Sequence, residues 1–296
     1  MRNKGLSESH SIEEHLSTGL NEIWIKRDDL IHPIVSGNKW RKLKYVIQHA
    51  LENNINHIIT YGGAYSNHAL ATACVCSLFD LKCTIIVRGE EPAEPNHYTL
   101  LIRAFNARMV YVSREVYKQK DQVLESLNYD SDRTLVLAEG GAHEFASQGC
   151  GEIISVLKNA YDAIFIASGT GTTALGMAKK MTELNMRTEL YVMPVLKNES
   201  ETAELLIEFS NTHVLNNAHL GGYAKTNAEL FEGINQMLAQ HGIVLDPVYT
   251  GKAYIAMLKH IKESKWKGKK VLFIHTGGQL GLFSQPMLKA WANSLG

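Results

Sequence analysis

The chain has 296 residues, and its 30 lysines and arginines are balanced by 30 aspartates and glutamates, so the formal net charge is zero. This balance argues against a domain that neutralises nucleic-acid phosphates and against a polybasic membrane anchor. Hydrophobic residues make up 45% of the chain, enough for a large buried core. At roughly 150 residues per domain, the length predicts two domains.

The N-terminal segment and the cysteines indicate the compartment. Residues 1–19 lack the apolar run of a signal peptide, and the longest nearly apolar run, 69–79, is shorter than the roughly 20 residues of a spanning helix. Three of the four cysteines, Cys74, Cys76 and Cys83, lie in apolar runs, and no CxxC pair is present. We therefore expect a cytoplasmic protein with reduced core thiols and no metal site.

Short β-branched or aromatic runs alternate with longer runs of helical character along the chain. The predicted strands are 23–26, 57–60, 83–87, 109–112, 135–138, 163–167, 190–195, 213–216 and 271–275. The predicted helices are 40–53, 67–79, 95–106, 147–158, 172–184, 227–241 and 252–263. This alternation predicts an α/β fold with mostly parallel sheets flanked by helices, and ligands then bind at the carboxyl ends of the strands.

The first of four polar turns, Ser36–Arg41, places Lys39 in the first turn of a helix. A cation is unfavourable there because the helix dipole prefers an anion, so Lys39 is a candidate for a chemical role. The alternative is a solvated lysine. The Ser36-x-x-Lys39 spacing also occurs in penicillin-binding proteins, but their Ser-Asp-Asn and Lys-Thr-Gly motifs are absent.

The second turn, Tyr61–His68, precedes the helix that begins at Asn67. Free backbone N–H groups at this helix start form a natural carboxylate site. The alternative is that Ser66 only caps the helix. The fourth turn, His275–Gly281, is rich in glycine, and it also follows an apolar strand.

The third turn, Ser168–Thr173, follows an apolar strand and predicts a phosphate site built from backbone N–H groups and hydroxyls, without any lysine. A dinucleotide fingerprint, Gly169-x-Gly171-x-x-Ala174, is a rival reading. That motif requires an acidic residue about 20 positions further on to hold the ribose, where this chain has Pro194. A single phosphate therefore fits better than a dinucleotide.

A lysine in one turn and a phosphate site in another together suggest pyridoxal 5'-phosphate, whose aldehyde binds an amine as a Schiff base. Six runs, taken in order, resemble the D-cysteine desulfhydrase and 1-aminocyclopropane-1-carboxylate deaminase family. These runs are KRDDL (26–30), SGNKWRKLKY (36–45), YSNHALATA (65–73), TGTTALGM (170–177), DPVYTGKA (246–253) and HTGGQLGLF (275–283).

The resemblance implies a tryptophan synthase β-like fold, the type II fold of pyridoxal-phosphate enzymes. A smaller α/β domain, 42–147, would be inserted in a larger cofactor-binding domain, 1–41 and 148–296. The cofactor would lie in the cleft between them, and the protein would be a homodimer that acts on a small amino acid.

The resemblance also assigns roles to individual residues. Lys39 matches the Schiff-base lysine, Asn67 the residue beside the phenolic oxygen of the cofactor, and Ser66 a substrate contact proposed as a nucleophile. The implied catalytic residues are Lys39, Ser66, Tyr249 and Tyr223. The implied cofactor-binding residues are Lys39, Asn67, Thr170, Gly171, Thr172, Thr173, Tyr249, Thr250 and Thr276. The implied substrate-binding residues are Ser66, Asn67 and His68.

Three positions favour the desulfhydrase branch of the family. Thr250 stands where the deaminases place a glutamate beside the pyridine nitrogen, and Thr276 stands where they carry leucine. His68 also matches the desulfhydrases. A hydroxyl beside the ring makes a weaker electron sink, which suffices for loss of a thiolate. The branch therefore predicts conversion of D-cysteine to pyruvate, ammonia and hydrogen sulfide.

Several alternatives remain open at this point. The desulfhydrases tend to carry arginine where this chain has Leu70, which leaves the carboxylate partner and the substrate open. A 1-aminocyclopropane-1-carboxylate deaminase, another racemase or deaminase of the same fold, and a non-catalytic pyridoxal-phosphate-binding protein would share the site. A nucleotide-dependent oxidoreductase would lack the lysine-linked cofactor.

Overall fold

The computed structural model describes residues 6–216 and 218–295. The strands are β1 (Glu13–Thr18), β2 (Glu22–Arg27), β3 (His57–Gly63), β4 (Lys82–Arg88), β5 (Arg108–Val112), β6 (Thr134–Leu137), β7 (Ala163–Ser168), β8 (Glu189–Pro194), β9 (Thr212–Val214) and β10 (Lys270–His275). The α-helices are α1 (Gly37–Glu52), α2 (Asn67–Leu78), α3 (His97–Ala104), α4 (Lys120–Ser126), α5 (Glu144–Ser155), α6 (Thr172–Glu183), α7 (Glu199–Leu206), α8 (Ala228–His241), α9 (Thr250–Glu263) and α10 (Gln285–Ser294).

These strands form two sheets. The six-stranded sheet has the order β1-β2-β10-β7-β8-β9, and only β1 runs antiparallel to its neighbour. The four-stranded sheet has the order β5-β4-β3-β6 and is parallel throughout. In both sheets the carboxyl ends of parallel strands therefore share an edge, which is where the fold class predicts a ligand.

The two sheets have separate hydrophobic cores. The smaller sheet packs against α1 and α2 through buried residues such as Leu43, Ile47 and Ile58. The larger sheet has a core on each face, one centred on Phe165 and Phe273 and the other on residues such as Ile164. Strands that are buried on both faces, as β7 is along its whole length, are typical of parallel sheets.

Helices α1, α5 and α6 pack unusually closely. A Cβ on Gly149 in α5 would lie 1.9 Å from the carbonyl oxygen of Arg41 in α1. A Cβ on Gly176 in α6 would lie 2.2 Å from the carbonyl oxygen of Ser147 in α5. Only glycine permits these approaches, so the three helices form one tightly packed layer.

A buried ion pair between Arg41 in α1 and Asp28 holds α1 against the segment that follows β2. The side chains of Asp28 and Arg41 are both fully buried, and Arg41 Nε donates to Asp28 Oδ2 at 2.6 Å. A second bond joins Arg41 Nη2 to Asp28 Oδ1 at 3.1 Å, and Ser11 Oγ also contacts this carboxylate. The Arg41 guanidinium, helped by these bonds, lowers the pKa of Asp28 against the opposing effect of burial. The KRDDL and KWRKLKY runs therefore meet in the core.

The sequence predictions of secondary structure are largely confirmed. Each of the nine predicted strands and seven predicted helices corresponds to an element of the structure, with ends that differ by a few residues. The prediction missed β1, α4, α7 and α10. The strands of the smaller sheet, from 57 to 137, lie inside the insert predicted at 42–147, whose exact boundaries stay a prediction.

The four cysteines are buried and form no disulfide, as the apolar runs around three of them indicate. Within the described ranges, no helix combines the length and the apolar character needed to cross a membrane. The same ranges contain no cluster of potential metal ligands.

Candidate active site

A cavity of about 340 Å³ lies where the carboxyl ends of the two sheets face each other. Its wall includes predicted site residues from all four polar turns, among them Lys39, Ser66, Asn67, Thr170 and Thr276. These positions are far apart in the sequence, and the fold brings the four predicted turns together around one cavity. A volume of this size suits a small cofactor with a small substrate.

Lys39 lies in the first turn of α1 and faces this cavity. The start of α1 is held against the turn after β10, because a Cβ on Gly37 would lie 1.9 Å from the carbonyl oxygen of Thr276. Burial, and then the positive charge of Lys42, lower the pKa of Lys39 from 10.5 to about 7. Near neutral pH a large fraction of this amine is therefore unprotonated and nucleophilic.

Lys42, which lies three residues after Lys39 on α1, is a second lysine in the cavity wall. Its Nζ donates to the carbonyl oxygen of Gly140 at 2.9 Å and reaches Thr170 Oγ1 at 3.5 Å. The structure therefore places one lysine beside the predicted phosphate loop, and the expectation of a phosphate site without a lysine stays a prediction. Sequence reasoning missed Lys42 because its partner Thr170 is 128 positions away, although the i, i+3 spacing from Lys39 places both lysines near one helix face.

The loop from Ser168 to Thr173 joins β7 to α6 and forms a cup lined by backbone N–H groups and hydroxyls. Gly171 adopts φ +80°, and a Cβ there would lie 2.5 Å from Leu205 Cδ2. Thr173 Oγ1 accepts a hydrogen bond from Asn38 Nδ2 at 3.1 Å, which ties the starts of α1 and α6 together. Ser168 Oγ is buried without a hydrogen-bond partner among the described residues, as expected for a group that awaits a ligand.

Ser66 and Asn67 begin α2 at the cavity. Ser66 Oγ accepts a hydrogen bond from the N–H of Ala69 at 3.2 Å, so the capping interpretation of this serine is confirmed. Asn67 Oδ1 accepts a hydrogen bond from the hydroxyl of Tyr98 at 2.6 Å, which leaves its Nδ2 as the free donor. This Nδ2 lies 3.2 Å from the position of a Cβ on Gly278, in the turn after β10 that also lines the cavity. Tyr98, which the sequence analysis missed, orients Asn67 as a donor to the cavity.

His68 is buried and its hydrogen bonds define its tautomer. The Thr60 hydroxyl donates to the carbonyl oxygen of Leu137 at 3.1 Å, so it accepts from His68 Nε2 at 2.8 Å. His68 Nδ1 is then an acceptor, and it has no partner among the described residues. Burial, and then the charges of Lys39 and Lys42, lower the pKa of His68 well below 6.5. The ring is therefore neutral and presents Nδ1 as a hydrogen-bond acceptor, and the predicted contact of His68 with the substrate stays a prediction.

The two threonines predicted beside the cofactor ring have different surroundings. The Thr250 hydroxyl donates to Asp246 Oδ1 and accepts from the N–H of Asp246, both at 2.9 Å, and Thr250 is not part of the cavity wall. Thr276 lines the cavity, and among the described residues no hydrogen bond of its hydroxyl is found. Thr276 thus offers the free hydroxyl, while Thr250 helps Asp246 to cap α9, and its predicted contact with the ring stays a prediction.

Two tyrosines cover the cavity. The ring of Tyr249 lies over the phosphate loop, 3.2 Å from the position of a Cβ on Gly169, and burial raises its pKa. Tyr223 lies at the mouth and is 51% exposed. Lys252 anchors the loop that carries Tyr223, because its Nζ donates to the carbonyl oxygens of His219 at 2.8 Å and Gly222 at 2.7 Å.

The fold, with two mostly parallel sheets flanked by helices, and the cavity define a pyridoxal-phosphate enzyme. Residues 6–277 match the family model described as pyridoxal-phosphate dependent enzyme, so the chain belongs to this family. A putative 1-aminocyclopropane-1-carboxylate deaminase from Thermotoga maritima is 33% identical over 287 residues, covering 89% of this chain and 90% of the relative. A D-cysteine desulfhydrase from Klebsiella pneumoniae is 28% identical, covering 92% of this chain and 90% of the relative.

The solved structures agree with this family. The crystal structure of an ACC deaminase homologue superimposes with a TM-score of 0.82 at 27% identity, covering 96% of this chain and 94% of that one. A threonine deaminase from Solanum lycopersicum superimposes with a TM-score of 0.72 at 17% identity, and covers 97% of this chain and 84% of that one. The second similarity shows only the shared fold.

The residues of the cavity fit pyridoxal phosphate. The amine of Lys39 is available for the aldehyde, and the cup at 168–173 with Lys42 beside it suits the phosphate. The free amide of Asn67 suits an anionic ring oxygen, and the free hydroxyl of Thr276 suits a ring nitrogen. Among these groups, Lys42 and the loop hydroxyls of Thr170 and Thr173 also have protein hydrogen-bond partners.

Proposed function

We propose that this enzyme eliminates hydrogen sulfide from D-cysteine, with pyruvate and ammonia as the other products after uptake of one water. The observation that carries the proposal is the hydroxyl of Thr276 on the cavity wall, whereas the hydroxyl of Thr250 is bound to Asp246. A ring nitrogen that faces a hydroxyl rather than a carboxylate stays largely unprotonated. Such a ring is a moderate electron sink, which is enough to expel a thiolate.

Lys39 carries the proton transfers in this proposal. Bound pyridoxal phosphate supplies the sink for the electrons of the Cα–H bond. Lys39 Nζ accepts the Cα proton, and its pKa of about 7 suits it as a base near neutral pH. The Cβ–S bond then breaks and sulfur leaves with the bonding electrons. Lys42 lies at the phosphate loop, where it would hold the phosphate of the cofactor rather than a reacting atom.

The substrate is held from the side of α2. The backbone N–H groups at the start of α2, after Ser66, form a site for the carboxylate of an amino acid. Tyr249 and Tyr223 line the same cavity, where they would limit the access of water to the bound substrate.

The second candidate function is ring-opening deamination of 1-aminocyclopropane-1-carboxylate. The relatives that carry this name and the position of Ser66 on the cavity wall support it. A nucleophilic Ser66 would have to keep its cap to Ala69 while it reacts, which makes this candidate the weaker one. The shared cavity also supports other deaminations or racemisations and cofactor binding without catalysis.

A direct assay separates these functions. The purified holoenzyme is given D-cysteine, L-cysteine or 1-aminocyclopropane-1-carboxylate, and sulfide, pyruvate and 2-oxobutyrate are measured. We expect sulfide and pyruvate in equal amounts from D-cysteine, and a loss of about 10–100-fold in Thr276→Val because the hydroxyl is removed. Production of 2-oxobutyrate without sulfide would instead support the deaminase. No product from any substrate would contradict both.

We further propose that the enzyme is a cytoplasmic homodimer with no nucleic-acid partner. The zero net charge supports the absence of a nucleic-acid partner, and the resemblance to the desulfhydrase family supports the dimer. Light scattering on the purified protein measures the oligomeric state, and a monomer at micromolar concentration would contradict the proposal.

A further inference from the structure

Arg88 is a cavity residue to which the site described so far gives no role. It ends β4 and pairs in register with Gly63, the last residue of β3, three positions before Ser66. Its Nη2 lies 3.7 Å from the position that a Cβ on Gly63 would occupy. The guanidinium therefore lies beside the strand end that leads into the start of α2.

The donors of Arg88 are uncommitted. Its side chain makes no hydrogen bond to any described residue, and its Nη1 lies 3.9 Å from Glu139 Oε1. Its Cζ lies 5.6 Å from the ring centroid of Tyr117, a cation–π contact that leaves the N–H groups free. Glu139 also lies 3.7 Å from Lys120, so its charge is shared between two cations. An exposed, loose pair of this kind stabilises a fold by less than about 1 kcal/mol.

The other cations of the cavity have defined positions. Among the described residues in its wall, the basic side chains are Lys39, Lys42, Arg88 and the neutral His68. Lys39 is the reactive amine, and Lys42 is bound to Gly140 and reaches the phosphate loop. Arg88 alone remains to neutralise an anionic group outside the cofactor phosphate.

We propose that Arg88 binds a carboxylate of the amino-acid substrate, with Glu139 as the counter-ion that it leaves when the ligand arrives. The planar guanidinium presents two parallel N–H groups to a carboxylate, a geometry that lysine lacks. This inference rests on the proposed function only in that the ligand is an amino acid. The carboxylate is either the α-carboxylate or a second one at the end of the side chain.

Binding titrations test the assignment separately from elimination. The holoenzyme is titrated with alanine, which has one carboxylate and no leaving group, and with glutamate, which has two, each as the D and L forms. The change in the visible absorption of the cofactor gives the dissociation constant. The variants are Arg88→Gln, Arg88→Lys and Glu139→Gln, and the matched control is Lys120→Gln, which removes a neighbouring charge outside the cavity wall. Thermal melting verifies that each variant is folded.

We expect Arg88→Gln to weaken binding about 10–100-fold, because a charge-assisted hydrogen bond is lost. Arg88→Lys restores only part of the affinity, and Glu139→Gln tightens binding because the competing anion is gone. Equal weakening for alanine and glutamate identifies the α-carboxylate, and weakening for glutamate alone identifies the side-chain carboxylate. Lys120→Gln stays within about twofold of the wild type.

Two results would overturn the assignment. One is an Arg88→Gln variant that binds both amino acids within twofold of the wild type. The other is a Lys120→Gln variant that is weakened as much as Arg88→Gln, which would show a general effect of charge. A wild type that binds amino acids through Arg88 but releases no sulfide from D-cysteine would contradict the proposed function and leave the role of Arg88 intact.

Discussion

The two ion pairs formed by Arg41 with Asp28 and by Arg88 with Glu139 have opposite designs. The pair of Arg41 and Asp28 is fully buried, short and bidentate, and it joins α1 to the segment after β2. The second is about half exposed and separated by 3.9 Å at the mouth of the cavity. The comparison teaches that a guanidinium with all its partners in place holds the fold together, whereas one with free donors is available to a ligand.

Lys39→Ala has the largest expected effect on activity. It removes the reactive amine of the cavity and leaves the buried pair of Arg41 and Asp28 unchanged. We expect the rate of elimination to fall by about 10²–10⁴-fold, since the base is removed. Borohydride reduction followed by peptide mapping should find the cofactor on Lys39 in the wild type and no adduct at position 39 in the variant. A cofactor adduct at another lysine of the wild type would contradict the assignment.

Asp28→Asn breaks the buried pair. We expect a loss of about 3–5 kcal/mol in the free energy of unfolding, because the buried charge of Arg41 loses its fully buried, bidentate partner. Urea denaturation of the cofactor-free protein measures this loss. A change below about 1 kcal/mol would show that Glu8 and Glu152, which lie near the same guanidinium, replace Asp28.

The pH dependence of stability tests the buried amine of Lys39. Its pKa is about 7 in the folded protein and 10.5 ordinarily, so between these values the unfolded chain binds more protons. The stability of the cofactor-free protein therefore rises with pH in this window, and Lys39 contributes up to about 1.4 kcal/mol per pH unit. Below pH 7 both states are protonated, and above 10.5 both are neutral, so the contribution to the slope disappears.

Lys39→Met should make this slope shallower between pH 7 and 9, as measured by urea denaturation at several pH values. Lys44→Met is the matched control on the same helix, because Glu152 and Glu8 raise the pKa of Lys44 against the effect of burial. Lys44 stays protonated in both states below pH 9, so its removal leaves the slope unchanged. An equal slope in Lys39→Met and the wild type would contradict the low pKa of Lys39.

Glu139→Gln has the smallest expected effect on stability. The pair with Arg88 is exposed and loose, so the free energy of unfolding should change by less than about 1 kcal/mol. Urea denaturation alongside Asp28→Asn measures both pairs on one scale. A loss as large as that of Asp28→Asn would remove the distinction between the two pairs.

The regular parts of the fold were predictable because local patterns specify them. Apolar runs such as Ala163–Ser168 identify the strands of a sheet that is buried on both faces. Strand β1, EEHLST, escaped prediction because an antiparallel edge strand needs no continuous apolar run. The position of the cavity was predictable for a similar reason. Glycine and hydroxyl residues at the ends of strands form a local pattern that marks the four turns around it.

Contacts between distant positions were not predictable. Lys42 and Thr170 are 128 positions apart, and no spacing along the chain relates them. The bond from Tyr98 to Asn67 spans 31 positions and depends on how α3 packs against α2. The hydroxyl of Thr250 bonds to Asp246, only four positions away, and its predicted contact with the cofactor ring stays a prediction.

The close approach of α1, α5 and α6 has a consequence for the cofactor. The amine of Lys39 and the cup at 168–173 stand on the first turns of two different helices, joined at that end by Asn38 and Thr173. Gly149 and Gly176 set the spacing of the same helices further along their axes. The distance between the amine of Lys39 and the phosphate loop therefore depends on these close backbone contacts. A single methyl group added at Gly149 in α5 would change that distance without contacting the cavity.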